Sequence, residues 1–520
     1  MDHPVRNFRR LLLLALVAGC LTHLQAAASR PNVVLIMADD MGFSDLGCYG
    51  GEIPTPHLDR LAREGLHFTQ FYNNAKCEPT RSSLLTGHYT QIAGASPTIT
   101  YRTPTFGELL RPAGYLTLMT GKWHAGQKPF DRGFDHHFGL TDGCSNYFNP
   151  GHPRPGEPQP SEKNFPRRWA EDGVEFRPFS PTDPAFYATD AYTQYAIRFL
   201  DEAASAGRPF LLYVAYTAPH YPLQAPPEAI ARHRGRYRSG WDVLRAERLQ
   251  RQKRLGVISV DTPLPPREPG VPAWDTLTEA EKDGWDLRMS VYAAMVERLD
   301  QGVGRLLARL AANGQADNTV VMFLSDNGGE DDDTDYSRVP GTAAGPQESY
   351  RMVGPGWAQV SNTPFRHSKT WMHEGGIATP FIVRWPNVIP AGSRTAQTGH
   401  IIDLVPTFLE LAGAEYPSRW NGATVPPPAG RSLLPVFKAV LRPDFPVFWQ
   451  LGSAAAVRSG PWKLVRGRVE STRSAPAAWE LYRVDQDRNE LHDLAATHPE
   501  QVAALAAKWT AWSQTGLPTP

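Results

Sequence analysis

Charged residues recur at one kind of place in this chain, directly after a short apolar run. Asp39-Asp40 follows Asn32 to Ala38, and Lys122-Trp123-His124 follows Tyr115 to Met119 through Gly121. His220 follows Phe210 to Tyr216 through Pro219, and Asp326-Asn327 follows Val320 to Leu324. Asp39, Asp40, Asp326 and Asn327 offer only oxygen donors, which suit a hard divalent cation, and a flexible carboxylate-rich set favours Ca²⁺ over Zn²⁺. The bland alternative is that each acidic pair caps a helix or turn, and that each lysine or histidine is a solvated loop residue. Two such pairs at two strand ends leave these readings balanced. Glu330-Asp331-Asp332-Asp333 with Asp335 is a second calcium candidate, for which a solvated acidic loop is the expected outcome.

The elements that would position these residues alternate. Asn32 to Ala38 is a continuous apolar run, as expected of a central strand buried on both faces. Thr55-Pro56 starts a helix, and Thr189 or Asp190 can cap another that carries Tyr192, Tyr195, Ala196, Phe199 and Leu200 on one face. A long amphipathic helix runs from Tyr292 through Leu310 and stops at Asn313-Gly314. Alternation of this kind predicts an α/β fold, a mixed or parallel sheet with helices on both faces, and ligands bind such sheets beyond the carboxyl ends of the strands. Residues 149–184 and 222–274, rich in proline and charge, read as long surface excursions. Phe445 to Gln450, Ala454 to Arg458, Trp462 to Val465 and Trp479 to Arg483 predict short antiparallel strands. A terminal helix follows from about Pro499 to Trp512, so residues 416–520 read as a small α+β subdomain behind a main domain of residues 29–415.

The chain has 520 residues, 41% of them hydrophobic, enough for one large domain and a small one. Its 53 basic and 53 acidic residues cancel, so no global field draws it to nucleic acid or to an anionic membrane. Arg6, Arg9 and Arg10 precede the apolar run Leu11 to Val17, which is too short to span a bilayer and reads as an export signal within residues 1–28. Val17-Ala18-Gly19-Cys20 resembles a lipobox that would lipidate Cys20, whereas Ala26-Ala27-Ala28 before Ser29 reads as an ordinary cleavage site. A periplasmic, surface-anchored or secreted protein is expected. Cleavage after Ala28 leaves Cys48, Cys77 and Cys144, an odd number, so at least one thiol stays unpaired or is modified.

Cys77 lies in Cys77-Glu78-Pro79-Thr80-Arg81-Ser82-Ser83-Leu84-Leu85-Thr86-Gly87. Taken alone it is a buried structural thiol. The spacing of cysteine, proline and arginine, followed by Leu-Thr-Gly, resembles the signature of the type I sulfatases in the alkaline-phosphatase-like superfamily. Pro31 to Asp40, Asp45 to Gly50, Gly121 to Gly126, Ser325 to Gly328, Asn362 to Gly376 and Arg458 to Lys463 extend the resemblance. It implies a large mixed sheet between helices and a small four-stranded sheet with one helix. It also implies that Cys77 is oxidised to formylglycine by a formylglycine-generating or radical maturation enzyme. One hydroxyl of the formylglycine hydrate would attack sulfur and displace the alcohol, and the other would later expel sulfate. The metal ligands would be Asp39, Asp40, Asp326, Asn327 and the modified Cys77. Asp326 would also help deprotonate the nucleophile, Arg81 would hold the formylglycine and the carboxylates, and Lys122 and Lys369 would bind sulfate oxygens. His220 would protonate the leaving oxygen, and His124 would contact the second hydroxyl. His367 and His373 are close enough to Lys369 in sequence to be mistaken for it.

The chain departs from the pattern at Glu78, where a small or neutral residue is expected beside the nucleophile, at His88, where many relatives carry arginine, and at Gln450-Leu451. The substrate implied is a sulfated carbohydrate or aryl sulfate. The rivals are a phosphate or phosphonate monoester hydrolase of the same superfamily and a catalytically silent receptor for sulfated glycan. Tyr147, Phe148, Trp169, Tyr237 and Trp241 could stack on a sugar or aryl ring, although loop packing is the expected outcome.

Overall fold

The computed structural model describes residues 30–94, 99–468 and 477–516. The leader readings, including Cys20 and the Ala28 cleavage site, fall outside the described residues.

Strand β1 (Asn32–Asp39) is buried along its whole length. Its run is continuous because the two faces of the strand enter two different cores. Val34, Ile36 and Ala38 join one cluster with Leu212, Val214, Val321 and Phe323. Val33, Leu35 and Met37 join the other with Leu211, Tyr213, Val320 and Met322. Together with β2 (Leu66–Tyr72), β3 (Leu116–Gly121), β4 (His136–Leu140), β5 (Trp169–Glu171), β6 (Val174–Phe176), β7 (Phe210–Pro219), β8 (Thr319–Ser325), β9 (Ala378–Arg384), β10 (Ser393–Thr395) and β11 (Gly399–His400), it forms one sheet. The order is β10-β2-β9-β8-β1-β7-β3-β4-β5-β6, with β11 also on β2. The β8-β1-β7-β3-β4 stretch is parallel, and β9 runs antiparallel to both β8 and β2.

Helices α1 (Pro56–Arg63), α3 (Ala188–Ala206) and α5 (Glu279–Ala312) cover one face, while α2 (Cys77–Thr86) and α6 (Leu404–Ala412) contribute to the core on the other. Helix α5 stops at Asn313, as its sequence predicts, but starts well before Tyr292, in a capping box between Thr278 and Glu281. Helix α3 begins one residue before Thr189, with Tyr187 at the cap and no capping side chain. Asp190 is instead drawn to Arg298, 2.9 Å from Nε, because that ion pair ties α3 to α5.

The stretch 222–274 corrects the expectation of a surface excursion. It contains α4 (Gly240–Leu255), whose Arg248 is fully buried and bridges Asp45 at 2.7 Å and Glu52 at 2.8 Å. The helical period was hidden because α4 turns arginines as well as apolar residues inward. Trp241 packs edge-on against Trp274, Trp285 and Trp357. Tyr147, Trp169, Tyr237 and Trp241 are all buried, so they are core residues, while Phe148 is half-buried.

Beyond these lies the antiparallel sheet β12 (Val447–Leu451), β13 (Ala454–Ser459), β14 (Trp462–Arg466) and β15 (Glu480–Arg483), with helix α7 (Pro499–Ser513) upon it. A buried charge network joins this sheet to the main one. Lys463 binds Glu374 at 3.0 Å and Glu490 at 2.7 Å, Arg488 binds Glu374 at 2.8 Å, and Tyr72 donates to Glu374 at 3.0 Å.

Candidate active site

Strand register brings the four predicted strand ends level. Ala38 pairs with Ser325, Asp39 with Pro219, and Gly121 with Ala215. Neighbouring strands lie about 4.8 Å apart, so Asp326, Asp39, His220 and Lys122 emerge side by side from β8, β1, β7 and β3. The chain leaves β3 at Gly121, which has φ 100° and where a Cβ would stand 1.9 Å from the Ala215 carbonyl oxygen. Only glycine lets Lys122 turn across β7 at that point. Asp40 takes a left-handed φ of 62°, a conformation that aspartate tolerates better than most residues and that sets it apart from the extended strand.

The fifth contributor is α2. Cys77 occupies its first turn and Arg81 follows four residues later, so both lie on one face of the helix. Pro79 is tolerated because amides in the first turn have no intrahelical acceptor. Asn74 pins the helix start: its amide N–H donates to Thr80 Oγ1 at 2.9 Å and its side chain to Ser83 Oγ at 2.7 Å. The helix ends at Gly87, with φ 72°, where a Cβ would press on Val405 at 2.8 Å.

These elements converge. The Cys77 thiol lies 3.4 Å from Asp39 Oδ1 and 4.0 Å from Asp40 Oδ1. Arg81 forks onto Asp326 Oδ2 through Nε at 3.0 Å and Nη2 at 2.8 Å, and its Nη1 donates to the Lys122 carbonyl at 2.9 Å. Lys122 Nζ reaches Asp39 Oδ2 at 2.6 Å. Lys369 Nζ reaches Asp40 Oδ1 at 2.8 Å and Glu330 at 2.9 Å. Asn327 donates to Asp40 Oδ1 at 2.6 Å, and the Asp40 amide donates to Asp326 Oδ1 at 3.3 Å. His220 Nε2 is 3.5 Å from Asp40 Oδ2, and the Nδ1 of the same ring lies 2.6 Å from the Tyr221 carbonyl. That contact makes Nδ1 the N–H and leaves Nε2 as the atom that can carry a proton into the site. His124 lies at the rim, a quarter exposed, with Nε2 3.5 Å from Glu78.

Burial sets the electrostatics. It raises the Asp39 carboxyl well above its usual range, reinforced by Asp326, and lifts Asp40 to about 6 against the pull of Lys369. Burial works the same way on Asp326, but Arg81 and Lys122 outweigh it and hold that carboxyl below its usual value. Burial, with Asp326 close by, pushes the Cys77 thiol up, so as a cysteine it stays protonated and is a poor nucleophile. Burial and Lys122 push both His124 and His220 well below the ordinary histidine range, and Lys369 adds to the effect on His220.

The donor set can hold a metal ion through two carboxylates, and the group brought together includes a thiol and an imidazole and leaves out Asp326, which Arg81 engages. One ligand atom each from Asp39, Asp40, Cys77 and His220 falls within 4.8 Å of the others, and Asn327 Oδ1 is buried without a hydrogen-bond partner. The acidic run from Glu330 does not form a second cluster among the described residues. Its members pair separately with cations: Glu330 with Lys369, Asp331 with Arg468 at 2.9 Å, Asp333 with Arg288, and Asp335 with Arg351 at 3.2 Å. Glu330 is thus a site residue that the sequence offered only as part of a second calcium candidate. His367 and His373 are committed elsewhere, to Glu268 at 3.2 Å and Glu480 at 3.1 Å. His88 is a core residue, 2.9 Å from the Tyr416 hydroxyl and pushed down to about 4 by burial.

A carboxylate-rich cluster at the strand ends of such a sheet, with a buried cysteine at a helix start beside it, suits a hydrolase that acts on charged esters. The chain belongs to the Sulfatase family, which it matches over residues 31–414. Residues 365–511 also match the family described as N-sulphoglucosamine sulphohydrolase, C-terminal. It is 35% identical to an uncharacterized sulfatase of Schizosaccharomyces pombe, over 95% of this chain and 96% of that one. It is likewise 35% identical to the arylsulfatase of Klebsiella aerogenes, over 80% of this chain and 94% of the relative. The solved complex of Ps i-CgsB with k-i-k-neocarrahexaose superimposes with a TM-score of 0.67 and 27% identity, covering 94% of this chain and 93% of that one. The chain is therefore a sulfuric ester hydrolase with an alkaline-phosphatase-like fold.

Proposed function

We propose that this enzyme releases inorganic sulfate from a sulfated carbohydrate or aryl sulfate, using a formylglycine made from Cys77 and a calcium ion held by Asp39, Asp40, Asp326 and Asn327. The observation that carries the reading is the position of the Cys77 sulfur, 3.4 Å from Asp39 and 4.0 Å from Asp40. A nucleophilic oxygen built on that residue would lie among the same carboxylates. Calcium, when bound, supplies a Lewis acid toward the sulfate oxygens, and the formylglycine hydrate supplies the oxygen nucleophile that a thiol lacks.

The chain's own residues do the rest. Arg81 keeps Asp326 ionised and in place through its fork. Lys122 and Lys369 are held at the pocket by Asp39 and Asp40, where they meet an incoming anion and offset the charge that develops on it. His220 gives a proton from Nε2 to the leaving alcohol once the substrate's negative charge counters the two lysines that depress its basicity. His124, at the rim, would contact the second hydroxyl of the hydrate and start sulfate release. The carbohydrate bound in the solved relative supports a sugar substrate, and the basic and apolar leader supports export to the periplasm or beyond, after maturation by a formylglycine-forming enzyme.

The test is mass spectrometry of the tryptic peptide that begins at Cys77, from a host with sulfatase-maturing activity. Conversion of cysteine to formylglycine lowers the mass by about 18 Da, and the shift should accompany release of sulfate from a sulfate ester. A peptide that retains cysteine in active protein would remove the formylglycine reading.

A further inference from the structure

We propose that Lys163 is a specificity residue that binds a second anionic group on the leaving alcohol, so that the preferred substrate is a multiply charged sulfated sugar. The inference rests on the sulfate-ester reading above and extends it outward from the reacting centre.

Tyr221 links the two places. Its ring packs on His220 with centroids 4.1 Å apart, and Lys369 Nζ stands 5.9 Å from the ring centre. Lys163 Nζ stands 5.6 Å from the same ring centre, so the two ammonium groups are at most about 11.5 Å apart. That is the reach of one or two pyranose rings. A ligand whose sulfate meets Lys369 would place a neighbouring substituent within range of Lys163.

Lys163 is also held in an unusual way. Its ammonium rests over the Tyr336 ring at 3.9 Å, and among the described residues no carboxylate pairs with it. By contrast, Arg154 is paired with Glu157, Arg168 with Asp142 at 2.7 Å, and Arg351 with Asp335 at 3.2 Å. Two aromatic rings thus fix the position of a charge without neutralising it. An ammonium poised over ring faces keeps its N–H donors for an oxyanion. Tyr336 is partly exposed, so the arrangement opens to solvent rather than to the core. The competing account is that Lys163 only fastens its loop to Tyr336.

The two accounts differ in selectivity. The experiment compares kcat/KM of mature enzyme on a monosulfated amino sugar, the same sugar carrying a second sulfate, and the same sugar linked to a uronate. Lys163→Met should reduce the ratio of doubly to singly charged substrate by about tenfold or more, the scale of one charge-assisted hydrogen bond. Lys163→Arg should retain most of the ratio. A fall confined to the disulfated sugar identifies the second anion as sulfate, and a fall confined to the uronate identifies it as carboxylate. An unchanged ratio in Lys163→Met, or a preference for the singly charged sugar in the wild type, overturns the inference. Failure of the wild type to cleave any of the three, while it releases sulfate from an aryl sulfate, overturns this inference alone; release of sulfate from none of these esters by mature enzyme overturns the reading on which it rests.

Discussion

Replacing Lys463 by methionine should both loosen the fold and slow the reaction. Lys463 is fully buried on β14 and is the shared partner of Glu374 and Glu490. Without it, Glu374 keeps Arg488 at 2.8 Å and the Tyr72 hydroxyl at 3.0 Å, but Glu490 keeps only the Glu374 amide, at 2.7 Å. Breaking a buried pair from one side costs about 3–5 kcal/mol, because the surviving charge has lost its solvent as well as its partner. The pH dependence reads all the cations around Glu374 together. The surrounding cations outweigh burial and hold the Glu374 carboxyl down at about 2, against an unfolded value of 4.5. A depressed carboxylate contributes stability above about pH 4.5 and loses it as pH falls toward 2, about 3 kcal/mol over that window. Glu374 begins the segment whose Gly376 carbonyl accepts from the Gly328 amide, beside Asp326-Asn327, and Lys369 lies on the same loop. Activity should therefore fall along with stability. The assay is reversible urea unfolding at pH 7, where Lys463→Met should lose about 3–5 kcal/mol. The double variant Lys463→Met/Glu490→Gln should recover part of that loss, because the stranded charge is gone. A single variant within about 1 kcal/mol of wild type, or a double variant that is simply the sum of both losses, would refute the argument.

Other consequences are as direct. Arg81→Lys keeps the charge but loses the fork onto Asp326 and the bond to the Lys122 carbonyl, so kcat should drop by about a hundredfold or more with a smaller change in KM, measured by steady-state kinetics. Chelation of calcium should abolish turnover and lower the midpoint of thermal unfolding, and added Ca²⁺ should restore both. Burial holds His67, His137 and His400 at about 3 and His88 at about 4, all below the free value of 6.5. The unfolded chain therefore takes up protons first as pH falls below 6.5. Each histidine should then cost about 1.4 kcal/mol of stability per pH unit until its folded value is reached, read from the unfolding midpoint between pH 7.5 and 5.5.

Much of the site was legible in the sequence because strands and helices impose their own periods. Once an apolar run is a central parallel strand, the polar residue after it must stand at the sheet's carboxyl edge. That rule puts Asp39, Lys122, His220 and Asp326 at one edge, and the sulfatase resemblance is what turns them from caps and loop residues into a site. Cys77 and Arg81 are singled out in the sequence by the resemblance alone, and the helix that sets them on one face is seen only in the structure. Lys369 could be placed only by resemblance, since it lies on an irregular loop with two histidines nearby, and what separates it from His367 and His373 is that Glu268 and Glu480 engage those two from distant parts of the chain. The buried arginine helix α4 was read as loop for a related reason: Arg248 is inward-facing because Asp45 and Glu52 await it, and no local pattern records that. Strands β2 and β9 were missed since the antiparallel pairing that defines them joins residues more than three hundred apart.

The charges assembled at the pocket bear on which ester it accepts. With His220 kept neutral by burial, Asp39, Asp40, Asp326 and Glu330 face Arg81, Lys122 and Lys369, a formal excess of one negative charge in a buried space. Such an excess suits a divalent cation, and with the proposed calcium bound the balance would become one positive charge. A sulfate monoester carries one negative charge and closes that balance, whereas a phosphate monoester near neutral pH carries two and leaves the buried site with an uncompensated anion. Burying an unpaired charge is costly, so the pocket should discriminate by charge even though the two tetrahedral groups are alike in shape. Glu330 is the residue whose removal shifts the sum without touching a proposed calcium ligand. Glu330→Gln should therefore narrow the preference for an aryl sulfate over the matching aryl phosphate, chiefly by raising kcat/KM for the phosphate. An unchanged ratio of the two specificity constants would mean that geometry, and not net charge, selects the ester.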